Sequence, residues 1–287
     1  MEEKVEKKKL EEMNLLDDFL FGSVVTYPEI GKKVVKSLLK IIFGREFKRL
    51  SVTAQKVYYG ADFDLHGARL DVYMEPEEGS EEQACVYDIE PDRREKAADR
   101  RMLPRRMRFY HGKIAARSLN SGADYDKLKN VMIIMIMPYD PFGLNRMAYT
   151  VKNRCVEVPE MEYEDGAGTL FLYTKGTEGI PNEAVRQLLH YMEESTRENA
   201  VNEELREIHR MVETVKKDPE VAGMRIQLVD DVLRLSEEKA RLSEENAKMS
   251  EENAKISEEK ARLKERNMRL EEENAKLREA LKRSDET

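Results

Sequence analysis

From Ile30 to Ile42 the apolar residues Ile30, Val34, Val35, Leu38, Leu39, Ile41 and Ile42 fall at helical spacings, which predicts a helix with one face on a core. Pro28 suits the first position of that helix and Gly44 its close. Before it lie a charged lead-in, residues 1–13, and the apolar group Leu15, Leu16, Phe19, Leu20 and Phe21. Beyond residue 50 the period shortens. Val52–Tyr59, Ala68–Met74 and Gln83–Glu90 alternate apolar with polar positions and are rich in Val and Tyr, the pattern of strands. The polar run Glu75–Glu82 reads as a hairpin loop. Pro104 is expected to open a second helix, which runs to about Leu119 and stops at Asn120, Ser121 and Gly122. Asn130–Met137 (NVMIIMIM) is almost wholly apolar and ends at Pro138, as a strand buried on both faces does. Shorter strands are expected around Met147–Val158 and Thr169–Tyr173. The order helix, strand, strand, strand, helix, strand predicts an α/β domain with a mixed sheet flanked by helices. A helical pattern resumes from Asn182 to Lys217, with Asp218-Pro219 as a joint.

The tail has a longer period. Leu235, Leu242, Met249, Ile256, Leu263, Leu270 and Leu277 recur every seventh residue. Set at heptad position d, they predict a coiled coil over 228–284. Position a then holds Val232, Lys239, Asn246, Asn253, Lys260, Asn267, Asn274 and Leu281, and Asn at a favours a parallel dimer. Position g of one strand and e of its partner are opposite in sign at the distal end: Glu259 with Lys264, Arg266 with Glu271, Glu273 with Arg278. Nearer the body, position e is Ser236, Ser243, Ser250 and Ser257. At about 1.5 Å per residue, Val232–Leu281 would make a rod of about 75 Å.

Charged residues make up 38% of the 287 positions and hydrophobic ones 40%. Much of the charge lies before residue 14 and after residue 200, so the part between has a more ordinary globular composition. A net charge of −8 argues against a surface that binds nucleic acid everywhere, but not against a local basic stripe. Cys85 and Cys155 are the two cysteines. They provide no disulfide framework and no paired metal ligands, and their apolar surroundings suggest buried positions. The N-terminal residues contain no apolar signal-like run, and no stretch reaches the roughly 20 apolar residues of a membrane span. A soluble, cytoplasmic chain with no membrane partner is expected.

The usual carriers of nucleotide, zinc-protease and serine-hydrolase chemistry (GxxxxGK[ST], GxGxxG, HExxH, GxSxG) are absent. His66, His111, His190 and His209 show no ligand spacing. What remains is acid on strands. Asp71 interrupts ARLDVYM, and Asp88 and Glu90 end CVYDIE, ahead of Pro91 and Asp92. Carboxylates are poor strand formers and costly to bury without a partner or a metal. Asp71 and Glu90 on adjacent antiparallel strands would bring two carboxylates within reach of one Mg²⁺. Directly after them, residues 93–117 hold ten basic residues against two acidic ones, a local charge of +8. A basic helix beside an acidic metal site suits a phosphate-backbone substrate. Arg105, Arg106, Arg108 and Tyr110 are its candidate DNA-phosphate contacts, whereas Phe109 is expected to pack inward.

The segments LLDDFLFGSVV, RLDVYMEPEEG, VYDIEPDRREK, LPRRMRFYHGKI, VMIIMIMPYDPFG, YTVKNRCVEVPEMEYEDGAGTLFLYTKG and NEELREIHRMVETVKKDP, in this order, resemble the PD-(D/E)XK nuclease family transposases, relatives of the bacterial Rpn recombination-promoting nucleases. The similarity runs over roughly residues 14–220 and leaves the tail outside. It implies a restriction-endonuclease-like fold, Mg²⁺- or Mn²⁺-dependent DNA hydrolysis and a role in mobile-element or recombination biology. On that pattern Asp71 matches the first metal-binding acid and Glu90 the second. The expected organisation is a lead-in over 1–13, a nuclease-like domain over 14–180, a helical segment over 181–227 and the coiled coil, which would join two chains.

One position departs from the family. Where its signature ends in Glu-x-Lys or Glu-x-Gln, this chain has Asp92. Aspartate lacks the positive charge of Lys and the amide donor of Gln, but it can place a water or add a metal ligand. Asp71, Glu90 and Asp92 are thus the candidate catalytic residues. The alternative is a catalytically degenerate relative that binds DNA or a protein and is dimerised by its coil.

Overall fold

The computed structural model describes residues 8–47, 50–58, 68–76, 85–94 and 96–285. The rest of the lead-in, most of the expected loop after Glu75, Tyr59 and His66 lie outside these residues. Lys8–Arg225 form one compact unit, and the described residues from Ile226 on belong to a second.

The first unit is built on a six-stranded mixed sheet. Its strands are β1 (Leu50–Tyr58), β2 (Ala68–Pro76), β3 (Cys85–Pro91), β4 (Asn130–Met137), β5 (Ala148–Lys152) and β6 (Ala167–Tyr173), in the spatial order β1-β2-β3-β4-β6-β5. The first three form an antiparallel meander, β4 lies parallel to both β3 and β6, and β5 closes the edge antiparallel to β6. The parallel pairing of β3 and β4 requires a crossover, which α3 (Ala97–Ser118) supplies.

Helices cover both faces. On one lie α1 (Asp18–Thr26), α2 (Ile30–Phe43), α4 (Glu183–Glu193) and α5 (Glu203–Lys216), around a core that includes Ile89, Ile134, Ile136 and Leu172 from the sheet. On the other, α3 sets Leu103, Met107 and Ile114 against Val86, Ile133, Met135 and Phe171. β4 therefore has no solvent face: Ile133, Met135 and Met137 point one way, Ile134 and Ile136 the other, as its unbroken apolar run predicts.

Several expectations shift. The helical stripe at Ile30–Ile42 is present, but α2 begins at Ile30, after Pro28, and ends on Gly44 in the left-handed conformation (φ 66°). The apolar group before it forms a helix of its own, α1. The lead-in is not all peripheral, since Leu10 and Met13 are buried in the larger core. Pro104 does not start α3 but sits seven residues inside it. Its ring removes the N–H that would bond the Arg100 carbonyl. The residue is exposed, so solvent can serve that carbonyl, while buried Leu103 anchors the turn before it.

The helices after residue 181 belong to the same core. Asn182 and Asn202 cap α4 and α5, each accepting a backbone N–H, from Val185 at 2.8 Å and from Leu205 at 2.9 Å. Ser195 binds the N-terminal segment to the end of α4. Its Oγ accepts from Leu15 N at 2.7 Å, and its own N–H donates to Asn14 Oδ1 at 3.0 Å. Pro219 opens α6 (Pro219–Asp285), a continuous helix of 67 residues. Ahead of it Asp218 accepts the Tyr27 hydroxyl at 2.6 Å and the Glu220 N–H at 2.8 Å. Among the described residues no helix is long and apolar enough to cross a membrane.

The α1–α2 corner sets a strict limit on side-chain size. A Cβ at Gly31 would overlap the backbone carbonyl of Val25, whereas one at Gly112, on the outer side of α3, would meet nothing. Gly31→Ala should therefore lower stability by about 1–3 kcal/mol through overpacking. Gly112→Ala should raise it by about 0.5–1 kcal/mol. Urea midpoints of the two variants, moving in opposite directions, check both.

Candidate functional site

Alternation along β3 puts Val86, Asp88 and Glu90 on the face covered by α3, and all three are buried. Asp88 lies beside Ile133 of β4, and Glu90 beside Met135. Asp92, just past the strand, extends the ladder by donating its N–H to the Ile136 carbonyl at 2.8 Å. Glu90 is 3% exposed and Asp92 2%, so neither is a solvated strand-end acid.

Asp71 is in β2. The next residue, Val72, pairs with Ile89, and Tyr73 pairs with Asp88. Continuing that register sets Asp71 opposite Glu90 across the antiparallel pair. The side chain of Asp71 lies outside the described residues, so the pairing is a statement about backbone position.

Asp92 is held by four donors. Its Oδ1 accepts the backbone N–H and the Nε of Arg94, both at 2.9 Å; its Oδ2 accepts Arg106 Nη2 and, at 3.2 Å, the Tyr139 hydroxyl. Burial alone would raise the Asp92 pKa, but Arg106 and Arg94 outweigh it and hold the carboxyl below its ordinary value. Asp92 thus fastens the end of β3 to α3 and to the segment after β4. Arg106 is expected among the DNA-phosphate contacts. It points inward to Asp92 instead, with 19% of its side chain exposed.

The other arginines of α3 divide by helical phase. Leu103, Met107, Tyr110 and Ile114 face the sheet. Arg101, Arg105 and Arg108 lie on the opposite side and are exposed. Phe109, expected inside, is 37% exposed and has Lys113 Nζ over its ring at 5.4 Å. Tyr110 takes the inner position. Burial, and then the charge of Glu90, push its pKa up to about 12, so its hydroxyl stays protonated near neutral pH. Arg94 belongs to the same neighbourhood. Burial lowers its pKa, but Asp92, Tyr110 and Glu90 more than reverse this.

Two acids at the start of α1, Asp17 as its N-cap and Asp18 as its first residue, complete the surroundings. Asp17, buried at the start of the helix, accepts Lys8 Nζ at 2.9 Å and also binds Arg93 Nη1. Asp18 follows it with a raised pKa, first from burial and then from the charge of Asp92, with Arg93 and Arg94 acting in the opposite sense. Neither is among the candidate site residues above, although both stand in LLDDFLFG. His111 is half-buried, its Nε2 2.9 Å from Thr169 Oγ1. His209 packs on Tyr191. Both cysteines are half-buried, less than their apolar surroundings suggested, and neither is in a disulfide.

Among the described residues no group of three or more His, Cys, Asp or Glu side chains is disposed to hold a metal ion. Asp92 already accepts four donors, two of them from guanidinium groups. Of the other acids, Glu90 with Asp71 opposite it in register suits only an ion that takes most of its ligands from water and substrate, as Mg²⁺ does. Searches against family models, curated proteins and solved structures found no match to the chain.

Arg106→Met should cost about 3 kcal/mol, since it leaves a buried carboxylate short of its main partner. Asp92→Asn should destabilise at neutral pH. The folded pKa of Asp92 lies below its unfolded value of about 3.9, so the stabilisation is full above that value and is lost as pH falls through the folded one. The urea-midpoint gap between wild type and Asp92→Asn should therefore close in acid.

Proposed function

We propose that this chain is a Mg²⁺- or Mn²⁺-dependent DNA endonuclease with a restriction-endonuclease-like core. The observation that carries the reading is the register of β2 and β3, in which Asp71 falls opposite buried Glu90, with a helix of charged arginines directly after. The order α2, β1, β2, β3, α3, β4, with an antiparallel meander and a parallel fourth strand, supports it.

On this reading Asp71 and Glu90 would hold the cation, whose chemistry is to lower the pKa of a bound water and offset charge on the phosphodiester. The outward Arg101, Arg105 and Arg108 contact phosphates and fix position without reading sequence. With the whole chain at −8 and this segment at +8, the duplex is confined to one face. Arg94 answers the departure at Asp92. Asp92 holds its guanidinium at 2.9 Å, and its side chain is 53% exposed; on this reading it supplies the positive charge that Lys supplies in the family signature, with Glu90 within its electrostatic reach. Tyr110 adds a protonated hydroxyl beside it. The activity would belong in a bacterial cytoplasm and serve recombination or mobile elements.

Nicking of supercoiled plasmid with Mg²⁺ or Mn²⁺ tests the proposal. Wild type should nick, Asp71→Ala and Glu90→Ala should fall to background, and Arg94→Met should lose about 10²-fold or more while still folding. Background nicking by wild type would remove the enzyme reading. A second reading, a DNA-binding relative that does not cut, is favoured by the saturation of Asp92. It predicts that DNA binding survives Asp71→Ala, and that losing Arg105 and Arg108 reduces the salt slope by about 1 each.

A further inference from the structure

We infer that Val232–Leu281 of α6 pairs with the same segment of a second copy of this chain, parallel and in register. α6 runs through this region without a break. The seven apolar d residues are 43% to 58% exposed along one side of it. A stripe of that length in water is an unfilled packing surface.

The charges separate into two sets. Glu244 pairs with Lys248, Glu251 with Lys255 and Glu258 with Arg262, each at 2.7 Å, and Glu265 with Arg269 at 2.5 Å, all one turn apart on the side away from the stripe. Among the described residues no such pair involves Glu259, Lys264, Arg266, Glu271, Glu273 or Arg278, the e and g positions flanking the stripe. A second copy satisfies these. In a parallel, in-register pair, Glu259 meets Lys264, Arg266 meets Glu271 and Glu273 meets Arg278, and two-fold symmetry makes each contact twice.

The same residues exclude the alternatives. Near-identical heptads from Leu235 to Arg262 would tolerate a slip of one heptad. The slip would set Glu259 against Glu271 and Arg266 against Arg278, so the distal end enforces register. In an antiparallel pair each a position faces a d position, which would bury the amides of Asn246, Asn253, Asn267 and Asn274 against Leu, Met or Ile. Parallel pairing puts Asn on Asn, where the amides bond to each other. Lys239 and Lys260 then lie beside Glu238 and Glu259 of the second copy.

Sedimentation of the full chain should give twice the chain mass. Lys264→Glu with Arg278→Glu should weaken self-association by about a hundredfold, as should Glu259→Lys with Glu273→Lys. An equimolar mixture of the two double variants should recover the dimer, which a folding defect would not allow. Asn274→Cys, in a Cys85→Ser, Cys155→Ser background with oxidised glutathione, should form an interchain disulfide, because only parallel, in-register strands bring the two positions together. A monomeric wild type, a trimer or tetramer, failure of the mixture to associate, or absence of the disulfide would each overturn the inference. None of these results depends on whether the chain cuts DNA.

Discussion

β3 and β4 are covered on both faces, and most of the architecture follows from that constraint. A strand without a solvent face must be apolar throughout or must supply partners for every polar group it carries. β4 takes the first course. β3 takes the second just past its end, at Asp92; Asp88, Glu90 and Asp92 alternate with Ile89 and Pro91, so the acids share the face that α3 covers while Ile89 enters the opposite core. An acid there is stable only with cationic donors nearby. Arg106 of α3 and Arg94 of the turn before it stand where the Asp92 carboxylate needs them.

Asp92 links these layers. Its backbone extends the sheet to β4, its carboxylate takes donors from the turn, from α3 and from Tyr139, and the next residue, Arg93, reaches Asp17 on α1. The end of β3 is thereby joined to helices on both faces of the sheet. A buried carboxylate with this many donors stays ionised, and it keeps Arg94 and Arg106 in fixed positions. Rigidity of this kind lets a half-exposed guanidinium act at a defined place.

The sequence made some of this legible. β4 was readable because continuous apolar residues ending at Pro138 leave few other structures, and α2 because its stripe is unbroken. α1 was not, because it is apolar on most sides and lies between other helices, which erases the period. The start of α3 was missed because proline usually marks a helix end, whereas here an exposed carbonyl and a buried leucine tolerate it inside. Asp71 and Glu90 could be picked out as acids in strands. The partners of Asp92 could not, since Tyr139 is 47 residues away and the helical phase of Arg106 is set by packing. The same phase decided Phe109 and Tyr110, neighbours about 100° apart on the helix, of which Tyr110 continues the spacing of Leu103, Met107 and Ile114.

Ser195 has a consequence for the order of assembly. Its bonds to Leu15 and Asn14 span 180 and 181 residues, and Lys216 reaches the Glu11 carbonyl across 205. A ribosome releases the chain from its N-terminus, so Leu10, Met13, Leu15 and Leu16 emerge long before the surface that buries them. The sheet and α3 can form from nearer contacts, but the first helix has to wait for α4 and α5. Topology therefore gives this unit a late closing step, in which its first residues are fastened by the helices around residues 195–216.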